Sequence, residues 1–131
     1  MNKELINKLI GRAREASDNA YCPHTNAPTG CALLTEENMI FTGCNIESKT
    51  FSVNVGAGEV AVVKAISEGH LAYKAACFYC ATHILFPDGR VRQLLIEFSP
   101  LMNIIVANDE TYHVCKLSEL LPFAFELPEA E

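Results

Sequence analysis

The sequence predicts an α/β protein, a three-layer α/β/α sandwich around a mixed five-stranded sheet. Three observations carry this reading. Apolar residues recur at helical spacing in some segments and as short continuous or β-branched runs in others. The segments follow the order α-β-β-α-β-α-β-β-α, in which the strands bury both faces only if helices cover both. Half of the 131 residues are hydrophobic and a fifth are charged, the balance of a packed globule. That length predicts one domain, residues 1–131, and no internal repeat or linker interrupts it.

Each element has its own signal. Residues 3–17 predict an amphipathic helix, because Leu5, Leu9, Ala13 and Ala16 share a face with Ile6 and Ile10 beside them. A loop containing Pro and Asn follows from Tyr21 to Thr29. Cys31–Leu34 and Ile40–Ile46 predict a strand pair joined at Glu36–Asn38. Residues 58–68 predict a buried helix that Gly69 ends. Ala75–Thr82 predicts a strongly apolar strand. Pro87-Asp88-Gly89 breaks the chain and opens a helix to about Phe98, with Asp88 as its N-cap. Asn103–Ala107 and Tyr112–Lys116 predict two more strands, and Leu117–Leu121 a closing helix.

Composition excludes several function classes. A net charge of −6 and the absence of a basic stripe argue against nucleic acid as a partner. No segment has the ~18 consecutive apolar residues of a membrane span, and Met1–Leu5 lacks the pattern of a signal peptide. The expected location is cytoplasmic. The 6 cysteines fall mostly inside apolar runs and predict reduced thiols, not a disulfide framework. Cys77, Cys80 and His83 have the spacing of a ligand cluster. On a strand, however, Cys77 and His83 share one face and Cys80 points to the other, so buried thiols are the better reading.

A series of short strings says more. Ala20-Tyr21-Cys22-Pro23-His24-Thr25, Gly30-Cys31-Ala32-Leu33-Leu34 and Gly43-Cys44-Asn45-Ile46-Glu47 occur in that order. Val63–Gly69, Arg92-Gln93 with Glu97-Phe98, and Leu120–Phe125 follow. In register, these resemble the segments AYxPYS, GAALL, GxNxE, KAxSEG, RQxxxEF and LLPxAF of the small homo-oligomeric cytidine deaminases. The resemblance spans almost the whole chain and implies the cytidine deaminase-like sandwich.

The resemblance also implies a reactive centre that this chain lacks. The family places Cys (or His)-Ala-Glu at the start of one helix and Pro-Cys-x-x-Cys at the start of the next. These hold zinc and supply a Glu that shuttles protons. The matching positions here are Gly56-Ala57-Gly58 and Asp88-Gly89-Arg90-Val91. Gly56 stands at the first ligand position, Gly58 at the shuttle, and Asp88 and Val91 at the other ligand positions. Zinc brings the pKa of a bound water from about 15.7 to about 7, roughly 12 kcal/mol at ~1.36 kcal/mol per unit. Loss of the shuttle removes a further ~10²–10⁴-fold. Glu59, one residue on, points about 100° away on a helix. The expectation is therefore no catalytic residue, no metal ligand and no cofactor.

Other positions match the family's substrate contacts. Asn45 and Glu47 match the pair that hydrogen-bonds ribose hydroxyls, and Ala57 lies within the emptied triplet. Phe125 matches an aromatic that enters a neighbouring subunit's site. Ala27 replaces an aromatic that packs on the base, which removes roughly 1–3 kcal/mol of stacking. Two helix N-termini meeting at the emptied centre favour negative charge, so a nucleoside or an anionic small molecule near Arg90 is an expected partner. A homo-oligomer, dimer or tetramer, is expected as well. The leading reading is a catalytically inactive deaminase-like protein. A divergent deaminase using Glu59, Asp88 or a cysteine, and a scaffold or regulatory subunit, remain open beside it.

Overall fold

A computed structural model describes residues 1–129; Ala130 and Glu131, the end of the expected domain, lie outside the described residues. The first element, α1, is Lys3–Ser17. Asn2 caps it by accepting from the Leu5 N–H at 2.7 Å. Ile6, Leu9, Ile10 and Ala13, spaced for one helical face, are its buried apolar residues. Arg14, in its last turn, lies 5.2 Å over the Tyr79 ring and 3.4 Å from Asp109.

The strands are β1 (Thr29–Thr35), β2 (Ile40–Cys44), β3 (Tyr73–Cys80), β4 (Asn103–Ala107) and β5 (Tyr112–Lys116). They form one five-stranded sheet in the order β2-β1-β3-β4-β5. Only β3 and β4 run parallel; the other pairs are antiparallel, so the sheet is mixed. The parallel pair needs a crossover. The helix α3 (Gly89–Ile96) supplies it. A second helix, α2 (Ala57–Ser67), links β2 to β3, and a short α4 (Leu117–Leu120) follows β5.

Strand alternation divides the core in two. Ala32, Leu34, Ala75, Cys77, Tyr79, Ile105 and Ala107 pack with α1 on one face. Cys31, Leu33, Ala76, Phe78, Ile104 and Val106 pack on the other with Ala61 and Val62 of α2, Leu95 of α3 and Leu117 of α4. Burial on both faces explains why β1, β3 and β4 read as nearly continuous apolar runs. The expected three-layer sandwich is the architecture found.

Several boundaries differ from the predicted ones. β2 ends at Cys44, not Ile46, because Ile46 leaves the sheet to bridge Tyr21 and Val55. β3 begins at Tyr73 and stops at Cys80, which puts His83 on an exposed bend beyond the strand. His83 therefore shares no strand face with Cys77. α3 ends at Ile96, where the Phe98 and Ser99 N–H groups both turn back to the Leu95 carbonyl. A short 3-10 turn at Phe51–Val53 has no counterpart in the sequence reading. Gly69, at φ 90°, follows α2 as expected. All 6 cysteines are free thiols, with Cys31, Cys77 and Cys80 buried.

Candidate functional site

Two helix starts meet over the α2 face of the sheet. α2 opens at Ala57 after Gly56, which caps it with no side chain. α3 opens at Gly89 after Asp88, whose Oδ1 accepts from the Val91 N–H at 3.1 Å. Arg92 fixes the approach to α3. Its Nε donates to the Pro87 carbonyl at 2.6 Å and its Nη1 to the Leu120 carbonyl at 2.8 Å. Between the two starts lies a cavity of about 220 Å³. Gly56, Ala57, Gly58, Asp88 and Val91 line it, together with Phe78, Leu85, Phe86 and Pro87; Thr29, Gly30 and Tyr79 complete the wall.

Thus the structure brings the expected Gly56, Ala57, Gly58, Asp88 and Val91 to one place. Gly58 there is sealed on its side-chain side. A Cβ at this position would lie 2.7 Å from Phe78 Cε1 and 2.9 Å from Val91 Cγ1. Any side chain would have to shift the Phe78 ring and the Val91 side chain.

Glu59 does not line the cavity. Its Oε2 pairs with Arg90 Nη2 at 3.3 Å, linking the opening turns of α2 and α3. Arg90 therefore faces a carboxylate of this chain, and Asp88 supplies the negative charge at the start of α3. Both groups expected to favour an anion here, Arg90 and the start of α3, thus already meet a carboxylate of this chain. The cavity wall carries one carboxylate, that of Asp88, and no cationic side chain.

Asn45 and Glu47 lie off the cavity, where they organise the preceding loop. Asn45 Oδ1 accepts from the Thr29 N–H at 2.9 Å and its Nδ2 donates to the Ala27 carbonyl at 3.0 Å. Glu47 Oε1 accepts from the His24 N–H at 2.9 Å and the Thr25 N–H at 3.2 Å, and Oε2 accepts from the Thr25 hydroxyl at 2.6 Å. The Thr25 hydroxyl and those N–H groups hold the Glu47 carboxyl below its ordinary range against the opposing effect of burial. Phe125 sits elsewhere, 69 % exposed, with its carbonyl accepting from Gln93 Nε2 at 3.2 Å. It lines a separate groove with Ile96, Pro100, Phe123 and Leu127.

Sequence reasoning passed over Phe78, Leu85 and Phe86. Phe78 carried a signal, since its parity in β3 puts it on the α2 face. Leu85-Phe86, an apolar pair just before the helix-opening Pro87, carried another.

The mixed sheet and its pair of helix starts place the chain among deaminase-like folds. Residues 1–76 match the family model described as the cytidine and deoxycytidylate deaminase zinc-binding region. The cytidine deaminase of Sporosarcina psychrophila is 35% identical over 127 residues, covering 92% of this chain and 90% of that protein. The probable cytidine deaminase of Dictyostelium discoideum is 32% identical over 127 residues, covering 95% and 86%. The crystal structure of cytidine deaminase from Burkholderia pseudomallei superposes with a TM-score of 0.88 at 30% identity, covering 95% of this chain and 100% of that one. The chain belongs to the cytidine deaminase family.

The match to a zinc-binding region overturns the expectation of no cofactor: zinc is the metal to which the family points. The donors at the motif positions do not fit it. Gly56 and Gly58 carry no side chain, Val91 is hydrocarbon, and Asp88 is a helix cap. Among the described residues, no group of three His, Cys, Asp or Glu side chains is placed to hold a metal ion. No helix among them is long and apolar enough to cross a membrane.

Proposed function

We propose that this chain is a cytidine deaminase-like protein, folded as one domain over residues 1–131, that does not deaminate. The observation that carries the reading is the seal at Gly58. The resemblance puts a proton-shuttling carboxylate at this position, and Phe78 and Val91 now stand 2.7 and 2.9 Å from where its Cβ would be. A proton shuttle is worth ~10²–10⁴-fold, and nothing on the cavity wall takes its place. Asp88 is the one carboxylate there and is engaged as a cap; no thiol or imidazole lines the cavity. Glu59 is engaged with Arg90. These contacts count against a divergent deaminase built on Glu59, Asp88 or a cysteine.

The test is ammonia release from cytidine and deoxycytidine, with zinc supplied and the S. psychrophila relative as positive control. Release by this chain should not exceed the uncatalysed background. Turnover within a hundredfold of the control would refute the reading.

The remaining function is small-molecule binding at the cavity within a homo-oligomer. Exposed Phe123, Phe125 and Leu127 support self-association, because a contiguous apolar surface of this kind marks an interaction face. A scaffold role without any ligand is the rival, and the cavity between the helix starts favours binding over it.

A further inference from the structure

His70 sits at the junction of three elements. It follows α2, just after Gly69 at φ 90°, and its N–H donates to the Ala65 carbonyl at 2.9 Å. From β3, the Tyr73 hydroxyl donates to the His70 carbonyl at 2.7 Å. The backbone is fixed by these bonds, and the ring takes partners of its own. Its side chain is mostly buried, 17% exposed. It lies tilted against Phe41 of β2, with ring centroids 5.3 Å apart. Its Nδ1 stands 3.2 Å from Glu37 Oε2.

Glu37 belongs to the turn between β1 and β2, where Asn38 takes φ 67°. β2 is an outer strand of the sheet, paired to β1 alone. The tip of such a hairpin is an element that opens locally. Its ties run to residues 70–74. The Glu36 N–H donates to the Ala72 carbonyl at 2.9 Å, Lys74 Nζ donates to Asn38 Oδ1 at 2.7 Å, and Glu37 meets His70. Of these ties only the last changes charge between about pH 5 and 8, because imidazole is the side chain that titrates there.

The charged groups on the surrounding elements are Glu36 and Glu37 on the turn, Lys64 and Glu68 at the end of α2, and Lys74 on β3. Lys64 is engaged by the Thr42 carbonyl at 2.7 Å and Lys74 by Asn38. Among the described residues, Glu37 is the carboxylate paired with the ring. The hydrogen bond from His70, first among the causes, holds the Glu37 carboxyl below its ordinary 4.5, so this carboxylate stays charged in mild acid. With the ring protonated, the pair is a charge-assisted hydrogen bond and the cation rests against an aromatic face. Burial of the ring opposes its charge, and the facing carboxylate offsets that cost. With the ring neutral, both attractions weaken. The clamp is therefore fullest above the titration of Glu37 and below that of imidazole, and it is lost as pH rises.

We propose that Glu37 and His70 form a pH-sensitive latch that clamps the tip of the β1–β2 hairpin in mild acid and releases it above neutrality. The latch lies beyond the end of α2, whereas the cavity lies at its start, so it stands apart from the non-catalytic reading of that cavity.

The experiment is amide hydrogen exchange of the full-length protein at about pH 5.5 and about pH 8, expressed as protection relative to the intrinsic rate at each pH. Protection of residues 36–41 should fall about threefold from the lower pH to the higher, the size of a surface ion pair, while that of β4 stays constant. Glu37→Gln, at an exposed position, should remove this dependence, and His70→Gln should do the same. Glu37→Lys should reverse it, since a protonated ring then faces a like charge. A purely structural role for either side chain would not produce that reversal. Equal protection at the two pH values in the wild type overturns the proposal, as does a pH dependence that survives in Glu37→Gln. Protection of β4 falling in step with the hairpin also overturns it, because the response is then global.

Discussion

Gly58 is the residue on which the site turns. Adding one methyl there drives Cβ into Phe78 and Val91, and overpacking of this kind costs about 1–3 kcal/mol. Gly58→Ala should lower the urea midpoint accordingly, and a paired Phe78→Leu change should recover part of the loss. Gly58→Glu should be less stable still and should not release ammonia from cytidine. Glu47 makes a different prediction. Its carboxyl, held low chiefly by Thr25, is a group whose folded pKa is depressed. The stability it gives is present above the ordinary carboxyl value of 4.5 and is lost as pH falls through the lower folded value. The protection of residues 22–29 against hydrogen exchange, relative to the intrinsic rate at each pH, should therefore fall in acid, and Glu47→Gln should show low protection already at neutral pH. If the two proteins exchange alike at neutral pH, Glu47 does not hold the loop. Cys77 gives a third. Burial pushes its thiol up to about 12, and the thiolate is the reactive form. Iodoacetamide at about pH 8 should leave Cys77 unmodified in the native protein and label it in urea.

Among the elements, those set by local pattern were legible in the sequence and those set by distant contacts were not. α1, β4 and β5 have the predicted bounds because apolar period or β-branched runs define them. The end of β2 was misplaced because Ile46 is claimed by Tyr21 and Val55, partners the local sequence does not reveal. The site divides the same way. The resemblance to the family's two reactive motifs implied that Gly56, Gly58, Asp88 and Val91 share one centre, and they line one cavity. The plug formed by Phe78 was not legible, because it depends on packing between β3 and the start of α2, 20 residues apart. The internal engagement of Asn45 and Glu47 was likewise invisible, since their types suit a sugar and a loop equally well. Leu9, fully buried between α1 and the sheet, tests the α1 layer. Leu9→Ala should cost about 2–5 kcal/mol in chemical denaturation; a change below 1 kcal/mol would mean that α1 does not support that core.

Over the whole molecule, apolar surface is distributed unevenly. The sheet interior is closed on both sides, while the C-terminal segment leaves Phe123 fully exposed, Phe125 at 69 % and Leu127 at 79 %. Ordinary monomers scatter such residues singly. Here they line one groove with Ile96 and Pro100, next to α3 and hence to the cavity's far wall. The proposed homo-oligomer should therefore use this segment. Light scattering of the wild-type chain should give a dimer or tetramer mass, and Phe123→Ser with Phe125→Ser should shift it toward monomer with the fold intact by circular dichroism. A monomeric wild type would remove the oligomer from the proposal.

The packing of Phe78 and Val91 over Gly58 also limits how this position can change. A variant that acquired an acidic side chain at this position would have to make room at Phe78 and Val91 at the same time. Each step taken alone passes through a less stable protein, by overcrowding or by a void. Such intermediates would therefore lose stability before any gain in chemistry could offset it, so Gly58, Phe78 and Val91 are coupled positions that have to change together.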